Sequence, residues 1–195
     1  VIPTARQSKE GIAFAGCGAG GLLAHVPKEF TRIVGFDLTL PILAAARRIL
    51  DGKALDFYLP RVLSERGRIR LAGGEARHVE LVAMDALDTA FADRSLDCMV
   101  TVFLTDIVAD PVALASEIRR ILSDDGIWIN YGPSGNNLKA LWRFDQTEAA
   151  AFFKTAGFTV VQADAYRSTN LDISNVLPAV SFRNTMCYLT VVRKT

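Results

Sequence analysis

A chain of 195 residues, half of them apolar, suits one compact domain with a substantial core. With 22 Lys plus Arg against 21 Asp plus Glu, the formal net charge is +1 and neither half is strongly basic, which argues against a duplex-DNA surface. Cys17, Cys98 and Cys187 are odd in number and lack CxxC spacing, so they suit neither a disulfide framework nor a zinc site, and a reducing compartment follows. Charges interrupt the longest apolar runs within about a dozen residues, too short to span a bilayer. With no visible signal peptide, although the chain begins at Val1, the cytoplasm is the default expectation.

Short apolar, β-rich runs alternate with helical patterns along the chain, which indicates an α/β sheet with helices on both faces. Gly11 to Ala15 reads as a first strand, followed by the glycine-rich run Gly16 to Gly21 and a short helix. Arg32 to Phe36 reads as a second strand. Thr39 is the expected N-cap of a helix that carries Pro41 in its first turn and continues through Leu43, Ala46 and Leu50. Residues 51–78 exceed an ordinary connection and read as an inserted segment, with Phe57, Tyr58, Leu59 and Pro60 as a packing flap. Its basic positions, Arg61, Arg66, Arg68 and Arg70, read as a solvated stretch rather than a nucleic-acid contact.

Val79 to Ala83 and Leu96 to Phe103 read as the third and fourth strands. Asp110 then caps a helix that starts at Pro111 and carries Leu114, Ile118 and Ile121 on its apolar face. Ser123 to Gly126 turns the chain into a fifth strand, Ile127 to Tyr131. Asp145 and Glu148, three apart, open another helix, which Gly157 ends. Phe158 to Ala163 and Met186 to Val192 are the last strands; the long connection between them has no helical period, so they should pair antiparallel. Tyr166 to Arg183, rich in Ser, Asn and Thr, reads as a loop of the kind that selects substrates.

The strongest local chemical signal is Ala15-Gly16-Cys17-Gly18-Ala19-Gly20-Gly21 directly after a strand. Glycines allow a sharp turn and a close backbone approach to a ligand, and a helix N-terminus would add free N–H groups. Spaced as Gly16, Gly18 and Gly20 the run suits S-adenosylmethionine; spaced as Gly16, Gly18 and Gly21 it also satisfies a dinucleotide fingerprint. Asp37, ending the second strand, can accept both ribose hydroxyls of either cofactor. Asp85 favours S-adenosylmethionine, because a second carboxylate after the third strand can accept from an adenine amino group. Cys17 reads mainly as a small residue that packs the loop, with a thiol of lowered pKa as the alternative. His25 and His78 are isolated and fit no nucleophile–base set.

The run from Glu117 to Gly126 and the closing Val191-Val192-Arg193-Lys194 resemble passages of class I methyltransferases. A narrower resemblance, to the carnosine N-methyltransferase family, covers nearly the whole chain from about Gly11. It rests on Gly35-Phe36-Asp37-Leu38-Thr39, Tyr58-Leu59-Pro60, Phe103-Leu104-Thr105-Asp106 and, most specifically, Trp128-Ile129-Asn130-Tyr131-Gly132-Pro133. The resemblance implies a Rossmann-like α/β fold: a seven-stranded sheet with an antiparallel last strand in three α/β/α layers, forming a single domain over residues 1–195. It also implies S-adenosyl-L-methionine as cofactor, with Leu38, Ala86 and Phe103 joining Gly16, Gly18, Gly20, Asp37 and Asp85 around it. Asp106 is then the expected catalytic and substrate-holding carboxylate, orienting a nitrogen and balancing its proton; a helix-capping role before Ile107 is its alternative. Tyr131, Asn137 and Arg183 complete the implied substrate set.

Asn137 falls where the family carries a histidine, and Arg183 near its tyrosines, so carnosine itself is not the expected acceptor. Asparagine does not exchange a proton near neutrality, and a guanidinium suits a carboxylate or phosphate. Family members also carry helices ahead of the glycine loop, where this chain has about ten residues, so the resemblance implies a cofactor cleft with one wall either open or supplied by residues absent from this chain. The expectation is therefore N-methylation of a small-molecule or peptide nitrogen by an enzyme that binds no nucleic acid, membrane or metal. The alternatives are an S-adenosylmethionine-binding module without catalysis and an NAD-dependent oxidoreductase.

Overall fold

Strand β1 (Lys9–Ala15) runs parallel to β2 (Phe30–Asp37), with Ile12 opposite Ile33 and Ala15 opposite Phe36. Both are near-continuous apolar runs, as strands covered on both faces must be. The computed structural model that shows this describes residues 9–27, 29–58, 66–69, 78–133, 146–169 and 184–195. Between the two strands lies a single 3-10 turn, Leu22–His25, where the sequence suggested a short helix. Its Leu23 is buried, and Gly20, at φ 79°, leaves space that a Cβ would fill at 3.1 Å from the Cβ of Ala46.

Helix α1 (Leu40–Leu50) begins after Thr39, whose carbonyl accepts from the N–H groups of Ile42 and Leu43 at 3.0 and 3.2 Å. The Thr39 side chain makes no capping bond, so the cap is positional only. Leu43, Ala46 and Ile49 form its buried stripe. The inserted segment contains a hairpin: β3 (Leu55–Tyr58) pairs antiparallel with β4 (Arg66–Ile69) in a sheet of its own. Strands of four residues carry too few alternations for periodicity to register. Of the expected flap, Phe57 and Tyr58 stand on β3, while Leu59 and Pro60 lie outside the described residues.

β5 (Val79–Ala83) joins the outer edge of β2, and β6 (Leu96–Val102) pairs parallel with β1 on its other side. Asp110 caps α2 (Pro111–Ile121), its carboxylate accepting from Val112 and Ala113 N–H at 2.9 and 3.0 Å. β7 (Leu122–Gly132) starts earlier than the sequence suggested. Leu122 already pairs with Leu96, but Cys98 pairs with Ile127, so the residues between bulge and Asp125 adopts φ 64°. α3 (Gln146–Thr155) stops two residues before Gly157, which turns the chain at φ 82°; Asp145, expected to open this helix, lies outside the described residues.

β8 (Phe158–Thr169) and β9 (Asn184–Lys194) pair antiparallel, as expected, over a longer span than the apolar runs suggested. Tyr166 to Thr169 is strand rather than loop. β8 is the edge of the sheet, where polar and charged side chains face water at little cost while the backbone ladder to β9 continues. The order of the main sheet is β5-β2-β1-β6-β7-β9-β8, with β9 inserted antiparallel between β7 and β8. This is the Rossmann-like α/β architecture of the class I methyltransferases.

Two cores sandwich the sheet. On one face Ala13, Val34, Phe36, Met99 and Trp128 meet Leu114, Ile118 and Ile121 of α2 and Phe153 of α3. On the other, Ile12, Phe14, Ile33 and Val100 meet Leu23 and Val26 of the glycine-loop side. Each fully buried Leu, Ile or Phe stabilises the fold by about 1.5–3 kcal/mol. Trp128 anchors the first core, its ring edge-on to Phe153 and Phe158 at centroid distances of 5.1 and 5.6 Å. Lys194 is buried at the end of β9 and donates to the Leu122 carbonyl at 2.6 Å; burial lowers its pKa. Among the described residues, no helix is long and apolar enough to cross a membrane.

Candidate functional site

The chain leaves β1 for β2 on one side and returns to β6 on the other, which opens a crevice at the carboxyl ends of the strands. A cavity of about 440 Å³ lies there. It crosses the ends of four adjacent strands: Met84 to Leu87 follow β5, Asp37 to Thr39 end β2, Gly16 ends β1, and Phe103 and Leu104 follow β6. Ile107, Val108 and Ala109 close the wall beyond Leu104.

Asp37 is half-buried, and both its oxygens are engaged. Oδ2 accepts from Gly18 N–H at 3.2 Å and Oδ1 from Thr39 N–H at 3.0 Å. A carboxylate has about four acceptor sites, so capacity for two hydroxyls remains. Asp85 is exposed, and its Oδ1 accepts from Leu87 N–H at 2.9 Å, which shapes the turn after β5. Cys17 sits inside the glycine loop, and the alternative of a lowered pKa does not hold. Burial, and then the Asp37 charge, push its thiol up to about 11.

The glycines divide by role. Gly16, at φ 63°, lines the cavity, and an added Cβ would stand 3.0 Å from a Leu104 methyl. Gly18 supplies the N–H to Asp37, and Gly20 permits the close approach of α1. Gly18 and Gly20 are not among the cavity-lining residues.

Among the described lining residues, Phe103 is the one with a strained backbone, at φ 51°, a region costly for a bulky side chain. Its N–H donates to the Tyr131 carbonyl at 2.8 Å, and its ring stands edge-to-face with Tyr131 at 5.6 Å. Asp106 is buried beside Gly132 and does not line the cavity. Burial raises its pKa. It is not a helix cap, since Asp110 caps α2. Tyr131 likewise stands behind Phe103 rather than on the cavity wall. Asn137 and Arg183 lie outside the described residues.

A buried polar chain supports the loop after β6. Trp128 Nε1 donates to Thr101 Oγ1 at 2.8 Å, Thr101 Oγ1 donates to Asn130 Oδ1 at 2.8 Å, and Thr105 Oγ1 donates to the same oxygen at 3.3 Å. The Trp-Ile-Asn-Tyr-Gly string is thus tied to the segment that carries Phe103 and Asp106. Sequence reasoning did not single out Thr39, Met84, Leu87, Leu104, Ile107 or Val108 as lining residues. They are ordinary apolar or small residues whose only signal is adjacency to a strand end.

Residues 14–130, more than half of the chain, match the family described as "Methyltransferase domain". The chain is 32% identical over 135 residues to a phosphatidylethanolamine N-methyltransferase of Cereibacter sphaeroides; the aligned part is 64% of either protein. Among solved structures, a candidate methyltransferase from Bacillus halodurans C-125 superposes with TM-score 0.71 at 17% identity, covering 99% of this chain and 95% of that one. A SAM-dependent methyltransferase from Methanosarcina mazei gives TM-score 0.65 at 15% identity, covering 97% and 93%. A 4+2 cyclase gives TM-score 0.65 at 15% identity, covering 98% and 77%, so these likenesses carry the fold and not the reaction. The chain belongs to the methyltransferase domain family, with S-adenosylmethionine as the cofactor that this membership implies.

Proposed function

We propose that the chain transfers a methyl group from S-adenosylmethionine to a nitrogen of a small-molecule or peptide acceptor. The single observation that carries this is the cavity itself, which follows four strand ends in an order that suits the cofactor. Strands about 4.8 Å apart place the β5 and β6 ends roughly 14 Å from each other. In that span Asp85 and Ala86 take the adenine, Asp37 and Leu38 the ribose, and Gly16 and Phe103 the sulfur end. A cavity of about 440 Å³ is within the range of small-molecule sites, and two carboxylates suit a cationic ligand.

When bound, the cofactor supplies a methyl group already activated on a positively charged sulfur. The protein's part is to align a nitrogen lone pair behind that carbon and to exclude water. Phe103, Leu104, Ile107 and Val108 give the apolar wall for this. Asp106 is the proposed carboxylate for the acceptor: its raised pKa makes it a better proton acceptor than an exposed aspartate, and the Asn130–Thr105 bond fixes the loop it stands on.

The nitrogen acceptor is supported by the similarity to a phosphatidylethanolamine N-methyltransferase and by the resemblance to carnosine N-methyltransferases. Asn137 and Arg183, at the positions that differ from the latter, support an acceptor with an anionic group. The buried position of Asp106 favours one second reading, a module that binds S-adenosylmethionine without turnover.

The test is methyl transfer from a labelled donor to carnosine, acidic imidazoles and amines, phosphatidylethanolamine vesicles, and hydroxyl or carboxyl acceptors. Label on nitrogen, with acidic acceptors ahead of carnosine, is the expected result. Label only on oxygen overturns the nitrogen assignment. Tight cofactor binding with no transfer to any acceptor selects the binding module.

A further inference from the structure

Phe103 poses a specific energetic question. A bulky non-glycine residue rarely adopts the left-handed region, because its Cβ crowds the backbone there, and Phe103 sits there at φ 51°. The surrounding structure enforces the strain rather than relieving it. The Phe103 N–H is held by the Tyr131 carbonyl at 2.8 Å. Gly132 lacks the Cβ that would approach the Phe103 nitrogen and Cα to 3.3 and 3.4 Å, so the two backbones lie against each other. Phe103 is nevertheless 36% exposed, at the β6 end of a cavity whose other walls are mostly aliphatic, with the carboxylates of Asp37 and Asp85 and the buried Phe36 nearer the β2 and β5 ends. An edge-to-face contact with Tyr131, at an interplanar angle of 88°, leaves at least one face of the ring uncovered by that tyrosine.

Burial does not explain this arrangement, because the ring is not buried. An exposed aromatic face beside two strand ends is suited to a cation, through the negative quadrupole of the ring. We propose that Phe103 recognises the positive charge of the sulfonium, its ring face making a cation–π contact, with Tyr131 and Gly132 as positioning residues. The inference rests on the reading that S-adenosylmethionine lies along the cavity with its sulfur at the β6 end. It adds a specific consequence: Phe103 separates the charged donor from its neutral product. Loss of the methyl group turns the sulfonium into a thioether, and the cation–π contact vanishes with the charge, which favours product release.

The two ligands provide the experiment, because S-adenosylmethionine and S-adenosylhomocysteine share adenine, ribose and amino acid and differ at the sulfur. Calorimetry with both ligands is run on wild type, Phe103→Leu, Phe103→Tyr, Phe103→Trp and Gly132→Ala. Phe103→Leu should weaken S-adenosylmethionine roughly two- to thirty-fold and leave S-adenosylhomocysteine within about two-fold. Phe103→Tyr and Phe103→Trp should keep or raise the wild-type ratio of the two affinities. Gly132→Ala, with Phe103 intact but displaced, should lower that ratio.

Equal weakening of both ligands by Phe103→Leu, or none, overturns the proposal and leaves the cofactor reading standing. If Phe103→Leu fails to fold, the tyrosine and tryptophan variants decide, and a ratio that falls in both overturns it. If wild type binds neither ligand, the cofactor reading falls and this inference with it.

Discussion

The backbone N–H of Gly18 donates to Asp37 Oδ2 at 3.2 Å, so the carboxylate that ends β2 also ties down the glycine loop that follows β1. Two elements that the sequence suggested as separate ligand contacts are one mechanical unit. The cofactor's ribose would meet a carboxylate already oriented by two backbone donors.

Asp37→Ala should weaken S-adenosylmethionine binding about ten- to hundred-fold, from the loss of two charge-assisted hydroxyl bonds of about 1.5–3 kcal/mol in total. S-adenosylhomocysteine, with the same ribose, should weaken in parallel, unlike in Phe103→Leu. Asp37→Asn keeps one acceptor oxygen and should fall between. Calorimetry on folded protein checks this, and unchanged affinity in Asp37→Ala removes the ribose assignment.

The Cys17 thiol, held up at about 11 by burial and by Asp37, should be nearly inert to iodoacetamide near neutral pH. Its alkylation rate should climb as pH rises toward that value, since the thiolate is the reacting form. Asp37→Asn removes the nearby negative charge, so the rate profile should move to lower pH. Rates are followed by mass spectrometry of the Cys17 peptide. Neutral-pH alkylation as fast as that of a free thiol would show that the loop does not bury Cys17.

Glu117 fastens the segment after β5 to α2. Its Oε1 accepts from Thr89 N–H at 2.8 Å and from Arg120 Nη2 at 2.7 Å, and Oε2 accepts from Arg120 Nε at 2.8 Å. Arg120 donates onward to the Phe91 carbonyl at 2.9 Å. Chiefly through the Arg120 bond, the Glu117 pKa is lowered from 4.5 to about 2. A depressed carboxylate stabilises the fold fully above its unfolded pKa and loses that contribution as pH falls from 4.5 toward 2. Glu117→Gln should therefore be less stable than wild type at neutral pH, by about 1–3 kcal/mol. The difference should narrow as pH falls below about 4. Urea midpoints at several pH values measure it, and a pH-independent difference would contradict the ion-pair account.

Much of the fold was legible because burial leaves a periodic record. The apolar runs that became β1, β2, β5, β6 and β7 could be placed from their composition. Asp110 and Pro111 marked the start of α2, because a cap and a fixed φ are local requirements. The β3–β4 hairpin left no such record. Neither did the extension of β8 through Thr169, where pairing with Asn184 to Cys187 makes strand of a polar stretch. Backbone pairing with a distant partner can override composition, and the sequence does not display the partner.

The same division runs through the site. Gly16, Asp37 and Asp85 could be picked out from the sequence because a tight turn and a carboxylate at a strand end are local chemistry. Which glycine lines the cavity, which tethers Asp37 and which admits α1 was decided only by tertiary packing, from the neighbours each missing Cβ would meet. Asp106 was conspicuous as a residue type, yet its burial beside Gly132 depends on β7, more than twenty residues away in the chain. Phe103 appeared in the sequence as the end of a strand. Its positive φ and open ring exist only because the Tyr131 carbonyl and the bare Cα of Gly132 stand beside it. Sequence by itself determined the sheet, its cofactor crevice and the carboxylates along it. Tertiary structure alone decided which side chains face that crevice, because orientation at a strand end is set by the neighbouring strand rather than by the residue's own propensity.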